Sequence, residues 1–372
     1  MAAERWSHTG YPQRIHFGSG SLDQVADVVK EVGGRRVMLV TTSGRMASED
    51  GERLVRRLGR QLVSTFAGAT SHVPTTTVQA AVRQAGADDV DMLVSYGGGS
   101  CADLGKAVCF FVEQQAGTPG ASYADRPGLP HIAIPTTYSG AELTPFFGMT
   151  DTASRRKTGA GGPTIAPRAA IYDPIVTLDM PVRVSAETGM NALAHGVEAA
   201  YSPGRTPEAE AIALACITGV ASSLPDVVDD PIDPEARARM LSASVLGGRC
   251  LQNAGMGVHH GLAQLVGGRT GMPHGLANAV LLAHALRFNA GDPALYEPLA
   301  RIGAALGDEG DPAGAVDRLR ERLDLPARLS DCGFTEEDLD AVVRMSQSSP
   351  SIKGNPRPVS EDEARQILEA AW

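Results

Sequence analysis

Asn191 and His195 stand four residues apart in GMNALAHGVE (189–198), a spacing that an α-helix turns onto one face. A carboxylate four residues before a histidine would suggest a metal site. An amide in its place leaves open whether the pair holds a cation or works by hydrogen bonding. Of the chain's nine histidines, His195, His259, His260, His274 and His284 fall between residues 195 and 284. His284 lies on an apolar helical stretch, an ordinary place for a core or surface imidazole. His195, His260 and His274 each lie in a glycine-flanked stretch where backbone can open toward a cleft. There an imidazole can accept, donate or carry a proton near neutral pH.

A second group of residues suits a phosphate. In SYGGGSCADLGKAV (95–108) an apolar strand runs into Gly97, Gly98, Gly99 and Ser100 and then into a helix. Glycines let the backbone turn sharply and approach an anion, while the first N–H groups of the helix point at it. The run is not the GxGxxG fingerprint, and glycine triplets also make plain turns. The turn after the next strand, with Thr136, Thr137 and Ser139 in PTTYSG, adds hydroxyls at the same sheet edge, where ligands of open α/β sheets gather. Together the two turns predict a dinucleotide. Gly18-Ser19-Gly20 reads as a simple turn.

The elements that must position these groups divide the chain in two. Up to about residue 180, short apolar runs, RVMLVTT (36–42), DMLVSYGGG (91–99), HIAIPTT (131–137) and AAIYDP (169–174), alternate with amphipathic segments. That pattern predicts a parallel sheet covered by helices on both faces, an α/β dinucleotide-binding domain over 1–180. From 181 to 372 strand signals vanish, and stretches such as 209–224 and 234–256 carry apolar residues at helical spacing. The second domain is therefore all-helical and carries the histidine cluster. The Pro- and Asp-rich stretch 225–234 reads as an inter-helix loop.

At 372 residues, 43% hydrophobic and 20% charged, with a mean hydropathy of −0.09, the chain has ample material for a globular core. A net charge of −10 argues against a nucleic-acid partner. No uninterrupted apolar run reaches membrane-spanning length, and the N-terminus MAAERWSHTG has no leader pattern, so the cytoplasm is the expected compartment. The five cysteines, Cys101, Cys109, Cys216, Cys250 and Cys332, are scattered and odd in number, which suits reduced thiols.

GGGSCADLGKA, PTTYSGAE, MNALAHGVEA, VHHGLAQLVGG, PHGLANAV and the terminal NPRP and AW together resemble the iron-containing alcohol dehydrogenase superfamily, and within it the maleylacetate reductases. The likeness runs from HFGSGS to Trp372. It implies a dehydroquinate-synthase-like fold, a homodimer, and an active site in the cleft between the two domains. It also implies NADH or NADPH as cofactor, with Asp103 and Lys157 (in RRKTG) among the cofactor contacts. Thr42 stands where many NAD-preferring relatives carry an acid, so the choice between the two nucleotides stays open.

Carried over by position, the metal ligands of the family, an Asp and three His, fall on Asn191, His195, His260 and His274. A neutral amide is a weaker ligand for a dication than a carboxylate. Maleylacetate reductases share that Asn, and the expectation is a site without a resident metal. One position departs from the family: Gln264, one turn after His260, replaces a histidine and removes a proton carrier.

The resemblance implies hydride addition to the conjugated double bond of maleylacetate, giving 3-oxoadipate. Charge develops on the ketone oxygen, and His195 and His260 would donate to it and supply a proton, His274 lining the pocket and Asn191 orienting the substrate. A small anionic substrate needs cations, and Arg168, Arg249, Arg287 and Arg357 are candidates. The alternatives are a metal-dependent alcohol dehydrogenase, a cyclase or lyase of the dehydroquinate-synthase type, and a repurposed homologue in biosynthesis.

Overall fold

Contacts divide the chain into two compact units, Thr9–Met180 and one built on Pro181–Trp372. The computed structural model describes residues 6–7, 10–117, 127–152 and 156–372. The reading of the N-terminal residues 1–5 and 8–9, and Arg155 of RRKTG, lie outside the described residues.

The first unit contains β1 (Arg14–Phe17), β2 (Val37–Thr41), β3 (Leu62–Phe66), β4 (Met92–Gly97), β5 (His131–Pro135), β6 (Phe146–Asp151), β7 (Arg156–Gly161) and β8 (Ala169–Tyr172). Six of these make one sheet in the order β1-β8-β5-β4-β2-β3, every neighbouring pair parallel, and β6 and β7 form a separate antiparallel hairpin. The central strands β2, β4, β5 and β8 are buried along their whole length, as continuous apolar runs require under helices on both faces. Those helices are α1 (Val25–Val32), α2 (Ser43–Met46), α3 (Glu49–Leu58), α4 (Thr75–Ala87) and α5 (Gly99–Gln115).

The apolar-run criterion finds the four central strands and misses the two edges. RIHF of β1 is mostly exposed and LVSTF of β3 only partly buried, so neither reads as a buried strand. In the register, Thr41 lies opposite Tyr96 and Gly97 opposite Pro135, so the loops after β2, β4 and β5 leave from one edge of the sheet.

The second unit contains α6 (Val182–Tyr201), α7 (Pro207–Asp229), α8 (Pro234–Asn253), α9 (Val258–Thr270), α10 (His274–Asn289), α11 (Tyr296–Leu306), α12 (Pro312–Arg322), α13 (Glu336–Ser346), α14 (Pro350–Lys353) and α15 (Glu361–Ala370). No described residue of it is in a strand. Helix α6 is the axis, continuously buried from Gly189 to Tyr201 and packed against α7, α8 and α10. Small residues allow the close approach: a Cβ on Gly189 would lie 2.5 Å from Leu224, and one on Gly247 3.1 Å from the Ala192 carbonyl oxygen.

One expectation is corrected here. The stretch 225–234 is not all loop, because α7 runs through Pro225 to Asp229, its far end held by buried Leu224 and Val227. Helix α7 is also long and apolar enough by composition to cross a bilayer, a feature that a search for uninterrupted apolar runs does not detect. It lies against α6 and α8, and two acids, Glu208 and Glu210, stand in its first turn.

Sealed imidazoles in each unit tie stability to pH. His131, at the start of β5, makes a 2.8 Å hydrogen bond through Nε2 to Ser95 Oγ, and burial pulls its pKa down to about 3. His259 on α9 is pulled down to about 4, first by burial and then by its neighbour His260. Above pH ~6.5 both rings are neutral, folded or unfolded, and add nothing. As pH falls below ~6.5 the unfolded chain takes up on each of these two rings a proton that the folded chain refuses, so they alone lower stability by about 2.7 kcal/mol per pH unit until the folded rings titrate, and His195 adds to the loss in the same direction. Urea unfolding at pH 7.5, 6 and 5 is expected to show this loss. A midpoint that does not move on acidification contradicts it.

Candidate active site

Helix α6 presents Asn191, His195 and Glu198 at i, i+4 and i+7, one stripe along its surface. All three are buried. Helix α9 brings His259 and His260 in its first turn, where N–H groups have no partner inside the helix. Side chains from elsewhere supply those partners. Val258 N–H donates to Asn355 Oδ1 (3.1 Å), His259 N–H to Glu198 Oε1 (3.0 Å) and His260 N–H to Glu198 Oε2 (3.2 Å). Gly257 precedes them because a Cβ there would lie 2.5 Å from Asn355 Oδ1 and 2.9 Å from Glu198 Oε1. Helix α10 starts with His274 just after Pro273, and Gly275 lets it approach the Glu187 carbonyl.

These elements bring three of the predicted histidines together. The rings of His195 and His260 stack with centroids 4.8 Å apart, and His274 lies 5.8 Å from His260. His259 meets His260 edge-on at 5.0 Å. His260 Nδ1 is 2.6 Å from Glu198 Oε2, and His259 Nε2 donates to the Asn278 carbonyl (2.9 Å). Asn278 Nδ2 also donates to Asn191 Oδ1 at 2.5 Å, so one residue of α10 braces both α6 and α9.

Burial, and then the imidazoles of His260, His274 and His259, hold the His195 pKa well below the ordinary histidine value. Burial alone would raise the Glu198 carboxyl, but the hydrogen bond and charge of His260 and the charge of His259 bring it below its usual value, so it is ionised. His195 Nδ1 and His260 Nε2 are buried without a hydrogen-bond partner.

The chemistry of this set does not suit a hard divalent cation. Asn191, His195, His260 and His274 are all neutral donors, and the Asn191 oxygen already accepts from Asn278. Nothing among the four offsets a double charge. Glu198, His259 and His260 do have ligand atoms within 4.8 Å of one another. At 2.6 Å, however, the Glu198–His260 contact is a hydrogen bond, shorter than the roughly 3.4 Å that separates two ligands on a tetrahedral zinc.

Of the other predicted residues, Gln264 follows His260 by one turn of α9 and is exposed. The arginine candidates are mostly engaged elsewhere. Arg168 stands at the amino end of β8, away from the ligand-binding edge of the sheet. Arg287, in the last turn of α10, pairs with Asp317, and Arg357 stacks on the Phe288 ring (3.9 Å) and pairs with Glu363 (2.9 Å). Arg249 donates to Gln252 on its own helix (2.6 Å). Glu198, Asn278 and His259 were not singled out from the sequence. For Glu198 a signal existed, an acid three residues after His195 in the apolar second half of α6.

In the α/β unit the two predicted turns touch. Gly97 has φ 146°, a conformation that favours glycine, and its carbonyl accepts from Thr136 N–H (3.0 Å). A Cβ on Gly98 would lie 3.2 Å from Thr137 Cγ2, and one on Gly99 3.0 Å from Ser139 Oγ. The helical ladder of α5 begins with Cys101 and Ala102 donating to the Gly98 carbonyl, which leaves the N–H groups of Gly99 and Ser100 ahead of it. Thr137 Oγ1 is buried without a hydrogen-bond partner. A glycine cradle, helix N–H groups and an unmatched hydroxyl at the carboxyl edge of a parallel sheet fit a dinucleotide phosphate.

Asp103 pairs with buried Lys106 (2.8 Å) and accepts from Gly148 N–H (3.3 Å), and Lys106 also donates to the carbonyls of Ala141 and Phe146. That network fixes the PTTYSG turn on α5. Thr42 caps α2 by accepting from Arg45 N–H. Lys157 is exposed on β7, paired in register with Thr150. Gly99→Val is expected to push Ser139 out of the cradle and weaken nucleotide binding by about tenfold or more, an effect of roughly 1.4 kcal/mol. Nucleotide titration by fluorescence checks it, and unchanged affinity counts against the cradle.

The model of the iron-containing alcohol dehydrogenase family matches residues 12–174, and the C-terminal model of the Fe-containing alcohol dehydrogenase family matches 185–372. A maleylacetate reductase of Rhizobium sp. (strain MTP-10005) is 35% identical over 365 residues, 98% of this chain and 97% of the relative. The crystal structure of maleylacetate reductase from Agrobacterium tumefaciens superposes with a TM-score of 0.87 at 32% identity, covering 99% of this chain and 98% of the other. The crystal structure of sulfoacetaldehyde reductase from Bifidobacterium kashiwanohense, in complex with NAD+, gives 0.88 at 26% identity, covering 99% of each chain.

Proposed function

Since the chain belongs to the iron-containing alcohol dehydrogenase family, we propose that it is a nicotinamide-dependent reductase of the maleylacetate reductase type, working without a resident metal. The observation that carries the reading is the amide at Asn191, bonded to Asn278, beside three converging imidazoles. Relatives at 31–35% identity over nearly the whole chain point to the same substrate.

When bound, reduced nicotinamide supplies a hydride to the double bond conjugated to the substrate ketone. Negative charge then spreads onto the ketone oxygen as an enolate, and the chain must stabilise it and return a proton to carbon. His195 is held neutral and acts as a hydrogen-bonding wall. His260, whose Nδ1 lies 2.6 Å from the Glu198 carboxylate, delivers the proton from Nε2. Asn191, held through its oxygen by Asn278, orients substrate.

The substrate is a small anion, and at a net charge of −10 neither nucleic acid nor membrane lipid is proposed as a partner. The cytoplasm is the proposed compartment. Exposed Ile15 and Phe17 on the edge strand β1 support a homodimer, to be checked by sedimentation. The deciding experiment follows oxidation of NADH and of NADPH with maleylacetate and with simple aldehydes, with and without chelator. Consumption of maleylacetate that chelator leaves unchanged is expected. Aldehyde reduction that chelator abolishes would identify a metal-dependent alcohol dehydrogenase instead.

A further inference from the structure

Glu198 is fully buried, yet no fixed positive charge is among its partners. They include the N–H groups of His259 and His260, the Tyr201 hydroxyl (3.2 Å) and His260 Nδ1 (2.6 Å). A plain helix cap would need only the first two. The 2.6 Å contact to a ring nitrogen is additional, and its geometry settles where the proton is. His259 Nε2 faces a carbonyl oxygen, which can only accept, so that nitrogen carries the hydrogen and His259 Nδ1 is bare. The bare Nδ1 lies 3.3 Å from His260 Nδ1. His260 Nδ1 therefore faces two acceptors, a carboxylate oxygen and an imidazole lone pair, and must itself hold a proton.

We propose that Glu198 is the positioning residue of this site. With His259 it fixes the His260 proton on Nδ1 and orients the ring, so that Nε2 is the one atom through which His260 exchanges a proton with substrate. In the protonation step a proton taken up from solvent on Nε2 is passed on: the Nε2–H bond breaks, a C–H bond forms on the enolate carbon, and the ring returns to its neutral form with its Nδ1–H still donated to Glu198. The same arrangement explains why the Glu198, His259 and His260 group is a proton network and not a cation site. In metalloenzymes a carboxylate behind a histidine orients it toward a metal; here it orients one toward a substrate.

The kinetic part of this inference rests on the reductase reading, and the structural part does not. Nitrogen-15 histidine spectra of the wild-type protein, with His260 assigned by its replacement, are expected to show a proton on Nδ1. Glu198→Gln keeps the shape but puts an amide where a charged acceptor stood. It is expected to lose the Nδ1–H signal and lower kcat about 100-fold, with the KM for nicotinamide within about twofold. Glu198→Asp, which keeps the charge at a longer reach, is expected to recover part of kcat. Finding His260 protonated on Nε2 alone in the wild type overturns the proposal, whether or not the variants fold. So does a folded Glu198→Gln enzyme with unchanged kcat. A wild type that ignores maleylacetate but shows the Nδ1–H signal sinks the substrate reading and leaves this one standing.

Discussion

His260→Asn is expected to lower kcat by roughly 10²- to 10⁴-fold, the range a positioned general acid contributes, while nicotinamide affinity stays close to that of the wild type. Asparagine suits the test because its amide nitrogen falls near the place of Nδ1 and can still donate to Glu198, which preserves the contact that His260 makes at 2.6 Å. What the variant lacks is Nε2, the buried atom without a partner. A simple His260→Ala would confuse the two effects, since it empties a position only 1% exposed and strips Glu198 of a donor. Loss of a buried, charge-assisted hydrogen bond costs about 1.5–3 kcal/mol by itself. Stopped-flow measurement of hydride transfer, alongside thermal unfolding, separates chemistry from folding. A His260→Asn enzyme that turns over maleylacetate within threefold of wild type means that the proton comes from another group.

How much of this was readable beforehand depends on whether the signal was local. The four central strands stand out because burial on both faces leaves them nearly all apolar, whereas β1 and β3 are edges whose mixed faces look like loop. The hairpin of β6 and β7, FFGMTD and RKTGAG, carries so much glycine and charge that no strand periodicity survives in it. In the site, spacing alone places Asn191 and His195 on one face. That His260 and His274 join them follows from the packing of α9 and α10, which neither periodicity nor composition encodes; only the family likeness supplied it.

The support around these residues was the least visible part. Asn278 matters through a carbonyl oxygen and an amide that face two other helices, and a carbonyl is present at every residue. Glu198 stands in the same ten-residue stretch as Asn191 and His195. Its role depends on the N-terminus of a helix about sixty residues away in the chain.

Asn191→Asp is expected to raise affinity for a divalent cation by at least tenfold to a hundredfold and to depress maleylacetate turnover at the same time. The substitution is nearly isosteric, and the donor that meets Asn191 Oδ1 at 2.5 Å, Asn278 Nδ2, can bond a carboxylate as well as an amide. The side chain is 5% exposed and lies in a pocket of imidazoles, where a new negative charge is costly unless something offsets it. A dication bound by that carboxylate and the neutral rings of His195, His260 and His274 offsets it, and 1.4 kcal/mol of net attraction is already a factor of ten. Any cation so held would take the lone pair of His260 Nε2, the atom assigned here to proton delivery, so gain of metal and loss of reductase activity should appear together. Zinc and ferrous titrations of both proteins, with elemental analysis after dialysis, read the first effect, and nicotinamide oxidation with maleylacetate reads the second. If the wild type binds the cation as tightly as Asn191→Asp does, the amide is not what separates this cleft from a metal site, and the metal-free reading of the enzyme falls with it.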